Sequence, residues 1–487
     1  MDGVLAGLKP ESVFGYFEEI SRIPRGTGNE KGISDYLTAF AGKHGLEVIQ
    51  DKVNNVIIKK PATPGYEKAP AIILQGHMDM VCEKNKGTVH DFLKDPIKLR
   101  IDGDMVYADN TTLGADNGTA VAYMMAILSS TEIRHPRIEA LFTASEEGSM
   151  AGAFNFDPEC LSGRLLINLD SEREGCLTVS SAGGMGAKFI IDAEYEEAPA
   201  DFEAYRISIG GLKGGHSGGD ITKGRANANK LLGRVLYGLC EKTPFLLKSA
   251  DGGLKANAIT RESEAVIFAA HSRESILKEN AGYFEQLFKR EYGETDGGVF
   301  VKTEKIPGAE HKALSDAVKN RLIKSLMLLP YGVQSMSMKI EDLVESSNNP
   351  GVMKTGENGI TIDNAIRSCE KSRKYYIANQ IKCIADALGC RLAIGSDYPE
   401  WAYNENSKLR KHLERVFTEM YGRKPLVKAI HAGLECGILA ERLPGVDITA
   451  IGPDVFDEHT PHEHMSISSV RSTYLYLLKV LEEAGDI

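Results

Sequence analysis

The sequence lacks long apolar runs and an excess of basic residues, and each absence excludes a class of protein. The longest clearly apolar stretch, residues 120–128, is far too short to span a bilayer. Basic residues number 57 and acidic residues 68, which gives a formal net charge of −11. Nucleic acids and anionic membranes attract basic surfaces, so we expect neither as a partner. The N-terminal segment has no basic stretch ahead of an apolar one, so we expect no secretory signal.

Closely spaced cysteine pairs are also missing, because no two cysteines form a C-x-x-C motif. Scattered cysteines are typical of free thiols in a reducing compartment, which predicts a cytoplasmic protein. A metal or redox role for one of them is the alternative. The eight cysteines are Cys82, Cys160, Cys176, Cys240, Cys369, Cys383, Cys390 and Cys436.

Length and composition indicate a globular protein of several domains. The 487 residues are enough for two or three domains and for a sizeable core without disulfide or metal support. A hydrophobic fraction of 42% and a charged fraction of 26% exclude a disordered chain. No internal repeat or low-complexity segment interrupts the sequence.

The opening part of the chain predicts an α/β domain. Segments with helical spacing, such as 11–22 and 117–130, alternate with the short apolar runs 71–75, 138–144 and 164–169. Near-continuous apolar strands between helices favour a mixed, mostly parallel sheet that is covered by helices on both faces.

The pattern changes after a glycine-rich stretch at 180–186, where alternating strands with interspersed helices predict an α+β insert. From residue 405 the pattern of the opening part returns. We therefore predict a discontinuous catalytic, metal-binding domain formed by 1–185 and 398–487. The insert, 186–397, is predicted to be a separate domain.

Metal-ligand residue types stand at the ends of three apolar runs. In open α/β sheets, ligands bind at the carboxyl ends of the strands. Asp116, which precedes the predicted helix 117–130, adds a fourth such position to the three strand ends. A single aspartate at a helix start is usually a cap, but four such positions favour a shared site. The residues at the strand ends are His77, Asp79, Glu146, Glu147 and Asp170.

So many carboxylates on one rim cannot all stay ionised without positive charge. Two bound divalent ions would supply that charge, and imidazole with carboxylate suits zinc, with manganese or cobalt as alternatives. In two-metal hydrolases one carboxylate can bridge ions about 3.5–4 Å apart. One acid would remain as a general base.

The motifs resemble those of a known family. The chain contains, in order, GHMDM, LGADNG, SEEGSMAG, NLDSE, GGHSGGDI, KANAITRE, ESSNNPG, HAGLECG and GPDVFDEHTPHE. This series resembles the co-catalytic zinc exopeptidases, and among them the cytosolic aminoacyl-histidine dipeptidases (peptidase D, carnosinase-like), over essentially the whole chain. The resemblance implies metal-dependent hydrolysis of Xaa-His and other dipeptides by a homodimer. It also implies that the insert is a lid and dimerisation domain.

The same resemblance implies five metal ligands. His77 and Asp170 would complete one site, and Glu147 and His459 the other, with Asp116 shared by both. The resemblance also implies a cis peptide bond after Asp116.

The histidine ligand near the C-terminus has neighbours that could replace it. The family pattern is histidine, serine or threonine, proline, aspartate, glutamate, and it aligns His459 with the ligand. His462 and His464 are the alternatives, and as non-ligands they are surface histidines.

Catalytic roles follow from the matched motifs. The resemblance implies that Glu146 is the general acid/base and that Asp79 orients His77. It implies that His216 polarises the scissile carbonyl as an oxyanion donor. In some relatives this histidine comes from the partner subunit, so its action within one chain or across the dimer stays open.

Three substrate contacts are implied in the same way. Asn257 and Arg367 match substrate-binding residues, and a guanidinium suits a bidentate grip on the C-terminal carboxylate of a dipeptide. An ordinary surface arginine is the alternative for Arg367. Glu435 is expected near the amino end of the substrate.

Two other functions compete with the dipeptidase hypothesis. One is an N-acyl amino acid deacylase on the same scaffold. The other is a non-catalytic peptide-binding module, which the complete ligand set and the presence of Glu146 disfavour.

Overall fold

The structure, a computed structural model, describes residues 3–487. Within that range no helix is both long and apolar enough to cross a membrane. The α-helices are α1 (Glu11–Ser21), α2 (Lys31–Lys43), α3 (Ala115–Ser129), α4 (Ala151–Asn155), α5 (Ala228–Cys240), α6 (Glu274–Tyr292), α7 (Asp316–Leu328), α8 (Lys371–Leu388), α9 (Lys408–Tyr421), α10 (Glu435–Arg442) and α11 (Ile467–Glu482).

The strands of the first half of the chain are β1 (Glu47–Gln50), β2 (Val56–Lys60), β3 (Ile72–His77), β4 (Leu99–Asp102), β5 (Met105–Ala108), β6 (Ile138–Thr143), β7 (Leu165–Asn168), β8 (Cys176–Ser181), β9 (Gly183–Asp192), β10 (Tyr195–Glu197), β11 (Phe202–Gly210) and β12 (Gly215–His216). The remaining strands are β13 (Leu246–Gly252), β14 (Ala258–Ile259), β15 (Ser263–Ala270), β16 (Phe300–Ile306), β17 (Lys312–Leu314), β18 (Gly332–Met336), β19 (Val344–Gly356), β20 (Gly359–Ser368), β21 (Arg391–Tyr398), β22 (Leu426–Ile430), β23 (Asp447–Ala450), β24 (Val455–Phe456) and β25 (His464–Ser466).

The chain divides into two compact units. Unit 1 comprises the residues up to Ser180 together with Tyr403–Ala429 and Leu434–Ile487. Unit 2 comprises Ser181–Ala402 and the short return Ile430–Gly433.

The limits of unit 2 follow from its hydrogen bonds. The predicted boundaries at 185/186 and 397/398 fall inside β9 and β21, which pair with each other. Pairing continues outward as a bridge between Ser181 and Trp401. The backbone N–H of Ala182 donates to the carbonyls of Ile430 and Ala432, which explains why that short segment belongs to unit 2. Its membership has no sequence signal.

Unit 1 is built on an eight-stranded sheet in the order β1-β2-β6-β3-β7-β23-β8-β22. The central strands β6, β3, β7 and β23 are parallel to their neighbours in this group, while β1 and β2 pair antiparallel at one edge. Every residue of β3 and β6 is buried, as expected for strands whose two faces are both covered. The α/β prediction with a mixed sheet is confirmed.

Helices cover this sheet through apolar surfaces. Helix α3 packs against β3 and α1, and nearly all of its residues are buried. A helix that is apolar all round belongs in a protein interior, which is where α3 lies. On β23, the helices α9 and α10 provide the packing.

A second, four-stranded sheet of unit 1 has the order β24-β25-β5-β4. Its β24–β25 pair is antiparallel, and the connection between these strands contains Asp457 and His459, both with positive φ. This connection presents the late histidines of the sequence.

Unit 2 has an antiparallel sheet whose main path is β16-β11-β15-β13-β19-β20-β9-β21. Helices α5, α6, α7 and α8 pack on it around a large apolar cluster. This is the α+β character predicted for the insert. The predicted lid and dimerisation roles of the insert stay predictions.

Candidate metal centre

The register of the parallel strands aligns their carboxyl ends. His77 at the end of β3 is paired with Thr143 at the end of β6. On the other side of β3, Gln75 is paired with Asn168, the last residue of β7. The residues that follow these strands therefore emerge at one edge of the sheet, as the sequence predicted.

A buried polar layer lies directly beneath this edge. Gln75 Oε1 accepts a hydrogen bond from Asn168 Nδ2 at 2.6 Å, and Gln75 Nε2 donates to Glu435 Oε2 at 2.7 Å. Thr143 Oγ1 donates to the same Glu435 oxygen at 2.6 Å. These bonds join β3, β6, β7 and the first residue of α10 below the candidate ligands.

Asp116 occupies the centre of the site. Its Oδ1 lies 3.0 Å from His77 Nε2, and its Oδ2 lies 3.2 Å from His459 Nε2. Asp170 Oδ1 lies 3.5 Å from His77 Nε2, and Glu147 Oε1 lies 2.9 Å from His459 Nε2. The two oxygens of Asp116 thus face two separate groups of predicted ligands.

The residue after Asp116 fixes the neighbouring strand ends. The peptide bond between Asp116 and Asn117 is cis, as the resemblance implied. Asn117 Oδ1 accepts from the backbone N–H of His77 at 3.2 Å, and its Nδ2 donates to the carbonyl of Leu169 at 2.9 Å. Gly76 allows this close approach, because a Cβ there would lie 2.4 Å from Asn117 Oδ1.

Asp79 organises the site from behind His77. Its Oδ1 lies 3.4 Å from His77 Nδ1 and accepts from the backbone N–H of Glu146 at 3.0 Å. Its Oδ2 accepts from the N–H of Glu147 at 3.2 Å and from Thr27 Oγ1 at 2.9 Å. His77 Nδ1 also lies 3.1 Å from the backbone carbonyl of Asp79, and the carboxylate of Asp79 holds the segment that carries both glutamates. The predicted role of Asp79 in orienting His77 stays a prediction.

The excess of negative charge in the site raises the pKa values of several of its side chains. Burial opposes the charged form of His77, yet Asp170 and the hydrogen bonds to Asp116 and Asp79 raise its pKa well above the usual value. Hydrogen bonds to Asp116 and Glu147 raise the pKa of His459 to about 11. Burial, followed by the charge of Asp170, raises the pKa of Glu146 well above its usual value, although His77 opposes the shift.

These residues fit a pair of divalent cations. Three potential donor groups have ligand atoms that all lie within 4.8 Å of one another: His77 with Asp116 and Asp170, Asp116 with Glu147 and His459, and His77 with Glu146 and Glu147. Asp116 is shared by the first two groups, with a different oxygen towards each histidine. Imidazole and carboxylate donors suit zinc, manganese and cobalt.

Of the three late histidines, His459 faces the acidic groups. Its neighbour His464 stacks between the rings of Tyr107 and Phe456, with centroids 4.7 and 5.0 Å away. His462 is exposed on the same connection. The alternative ligands therefore have other surroundings, and the contacts to Asp116 and Glu147 are those of His459.

Glu435 lies in the polar layer rather than at the surface. Its side chain is completely buried, and burial raises its pKa to about 8, with the bond from Thr143 opposing the shift. The bonds from Gln75 and Thr143 give it a supporting position beneath the ligands. Its predicted contact with the substrate stays a prediction.

Unit 2 brings two of its predicted site residues together. His216 lies on β12, and its Nε2 is 3.3 Å from Nη2 of Arg367 on β20. Asn257 precedes β14, the strand that pairs with β12, and its carbonyl accepts from the N–H of Ser217 at 2.8 Å. Burial, then the charge of Arg367, lowers the pKa of His216.

Arg367 is a buried cation rather than a surface arginine, with 8% of the residue exposed. Its Nη1 donates to Tyr398 Oη at 3.1 Å, while its Nε has no hydrogen-bond partner among residues 3–487. Close by in unit 2, His431 Nε2 lies 2.7 Å from Ser347 Oγ. A buried guanidinium with spare donor capacity is suited to an anionic ligand.

The sequence analysis missed several residues that support the site. Tyr398 and Thr27 carry no local motif. Arg25 and Glu463 are buried beside the Asp116 segment. Two of the missed residues had a signal: His431 begins the HAGLECG motif, and Glu463 matches the final glutamate of the family pattern that begins at His459.

Comparison with known proteins places these features in context. The sequence model of Peptidase family M20/M25/M40 matches residues 73–483. The cytosol non-specific dipeptidase of Escherichia coli (strain K12) is 36% identical over 479 residues, which are 98% of this chain and 99% of that protein.

Solved structures give the same picture. The crystal structure of the aminoacylhistidine dipeptidase from Vibrio alginolyticus aligns with a TM-score of 0.90 and 36% identity, covering 99% of this chain and 98% of that one. A tripeptidase from Staphylococcus aureus aligns over 100% of both chains with a TM-score of 0.57 and 16% identity, which is a likeness of fold.

We expect His431 to make the stability of unit 2 depend on pH. Burial, then the charge of Arg367, lowers its pKa from 6.5 to about 3. Between these values the unfolded chain binds a proton that the native state does not, so the free energy of unfolding falls as the pH drops through this window. We expect His431→Asn to lack this contribution. In urea titrations, the stability difference between wild type and variant should shrink from pH 7 to pH 4; a constant difference would contradict the assignment.

Proposed function

Because the chain belongs to peptidase family M20/M25/M40, we propose that it hydrolyses dipeptides at a centre of two divalent cations. The observation that carries this proposal is the position of Asp116, whose two oxygens face His77 and His459 at 3.0 and 3.2 Å. The names of the two relatives at 36% identity, a dipeptidase in each case, support the substrate class.

We propose five ligands for the cations. His77 and Asp170 belong to one cation and Glu147 and His459 to the other, with Asp116 between them. Two cations bound here would act as Lewis acids on the peptide carbonyl and increase the acidity of a water molecule. Zinc is the ion that this donor set favours, with manganese and cobalt as alternatives.

Glu146 is the proposed general acid/base. Its carboxylate takes a proton from the attacking water as the water oxygen forms a bond to the carbonyl carbon. It then delivers that proton to the nitrogen as the carbon–nitrogen bond breaks. A buried carboxylate with a raised pKa is a better base than an exposed one, which suits Glu146 to both transfers.

The residues of unit 2 are proposed to bind the substrate. Arg367 pairs with the C-terminal carboxylate, as its burial and unpartnered Nε allow. Asn257 contacts the peptide, and His216 donates to the developing oxyanion. We propose that the chain forms a homodimer, in which His216 serves either its own chain or the partner.

The proposed setting is the cytoplasm. The name of the Escherichia coli relative supports it. All eight cysteines are free thiols, as predicted, which agrees with a reducing compartment.

The function is tested with a substrate panel. The protein is stripped of metal, reloaded with zinc, manganese or cobalt, and assayed on Xaa-His dipeptides, other dipeptides and N-acyl amino acids. We expect hydrolysis of the dipeptides. Turnover of N-acyl amino acids alone would make the protein a deacylase. No turnover of any substrate by protein that holds two metal equivalents would make it a binding module.

The division of roles predicts different outcomes for two variants. Glu146→Gln removes the proposed base, so kcat should fall by about 10²–10⁴-fold. Because Glu146 is not one of the five proposed ligands, the metal content of the variant should stay near that of wild type. Asp116→Ala removes the shared ligand and should lose both ions. Metal analysis by mass spectrometry beside the kinetic assay separates the two effects. Substantial activity in Glu146→Gln would refute its assignment as the base.

The Arg367 assignment predicts a substrate-dependent defect. Arg367→Lys keeps the charge but loses the planar pair of donors, so kcat/KM for dipeptides should fall about 10–100-fold. A dipeptide amide lacks the carboxylate and should show little further loss in the variant. Arg206→Lys is the matched control, since Arg206 is a partly exposed arginine of unit 2 that pairs with Glu264. Equal losses on acid and amide would exclude carboxylate recognition by Arg367.

A further inference from the structure

The segment that leads to Asp116 is held by one remote carboxylate. Glu463 is 2% exposed, and its carboxylate accepts hydrogen bonds from four consecutive backbone N–H groups. Its Oε2 accepts from Leu113 and Gly114 at 2.8 and 2.9 Å. Its Oε1 accepts from Ala115 and Asp116 at 2.7 and 3.2 Å.

The N–H groups of Ala115 and Asp116 lie at the start of α3, where a helix leaves its first donors unsatisfied, and those of Leu113 and Gly114 come directly before it. The residue at the N-cap is Gly114, in the left-handed region with φ 70°, and it has no side chain to accept them. The carboxylate of Glu463 replaces a local cap. A buried carboxylate that accepts several N–H groups forms strong, charge-assisted hydrogen bonds.

Arg25 holds the opposite side of the same segment. It is also 2% exposed, and its Nη2 donates to the carbonyl of Gly114 at 2.5 Å. Its Nη1 donates to the carbonyls of Met78 and Asp79, which follow His77, at 3.0 and 3.2 Å. One guanidinium therefore ties the Asp116 segment to the His77 segment.

We propose that Glu463, together with Arg25, positions the backbone at Asp116 so that its two oxygens face the two groups of metal ligands. Glu463 touches no donor atom of the site; it acts through the peptide N–H of Asp116. The inference rests on the proposed metal centre and deepens it. It differs from simple helix capping, because capping alone would add stability without changing the affinity of the site for metal.

The test variant is Glu463→Gln. Glutamine has the same shape but presents an NH₂ group in place of one oxygen, so two of the four N–H groups lose their acceptor. Outer residues that orient metal ligands are commonly worth about 10–100-fold in metal affinity. We expect the dissociation constant for zinc, measured by competition with a chromogenic chelator, to rise by about that factor. No substrate is needed for this measurement.

The matched control is Glu139→Gln. Glu139 is fully buried on β6, and its carboxylate accepts from the N–H groups of Ser162 and Gly163 and from Arg137 Nε. It lies near the start of β6, the strand whose other end leads to Glu146 and Glu147. We expect this variant to be less stable to urea in the metal-free form but to bind zinc with the affinity of wild type, because Glu139 contacts neither a proposed ligand nor its backbone.

Two results would overturn the inference. One is a Glu463→Gln protein that loses stability but binds zinc like wild type. The other is an equal loss of zinc affinity in both glutamine variants. If Glu463→Gln does not fold, Arg25→Lys is tested instead. Lysine keeps the positive charge but cannot donate to the carbonyls of both Gly114 and Met78. Unchanged zinc affinity in Arg25→Lys would also refute the proposal.

Failure of the inference can be told apart from failure of the proposed function. A wild-type protein that binds no zinc, manganese or cobalt would remove the metal centre itself. A wild type that binds two equivalents and a Glu463→Gln variant with unchanged affinity would remove only the role of Glu463. Loss of zinc affinity in the variant, with no dipeptide turnover by wild type, would leave the positioning role intact.

Discussion

The parallel register of β3, β6 and β7 is the constraint on which the rest of unit 1 depends. It places the end of each strand at the same height, with His77 beside Thr143 and Gln75 beside Asn168. A slip of one residue would turn every side chain to the other face. A slip would also break the buried hydrogen bonds among Gln75, Asn168, Thr143 and Glu435. Each broken bond would leave a polar group without a partner in the core, which costs free energy, so these bonds oppose the slip.

The aligned strand ends bring carboxylates close together, and these carboxylates repel one another. Several carboxylates meet at the edge of the sheet, and His77 and His459 lie among them. The structure responds with strongly shifted pKa values, upward for His77 and Glu146 and downward for Asp116. Bound cations would reduce this repulsion. They would therefore change the pKa values of the proposed ligands and of the proposed base together. The net negative charge of the sequence does not by itself indicate a metal site. It does so only once the fold is known to bring several of the carboxylates to one edge of the sheet.

The sequence predicts what is local and misses what is distant. The proposed ligands could be anticipated because most follow an apolar strand within a few residues. Glu463 is about 350 residues away from the Asp116 segment in the sequence. It binds backbone N–H groups, which nearly every residue has, so no residue pattern in that segment predicts the contact. Arg25 likewise binds carbonyls. The return of residues 430–433 to unit 2 depends on backbone pairing with Ala182, so no composition change marks it.

Asp79 shows how few side chains hold the arrangement together. Its two oxygens receive the N–H groups of Glu146 and Glu147, and one of them also faces His77. A ligand of each proposed cation and the base therefore share one support. Asn117 and Glu463 fix the segment of the shared ligand from two further directions. These supports bind backbone groups and, in the case of Asp79, the ring nitrogen of His77 that faces away from Asp116. The atoms that face Asp116 therefore remain free for cations while their positions are already set, which is the condition for a preorganised site.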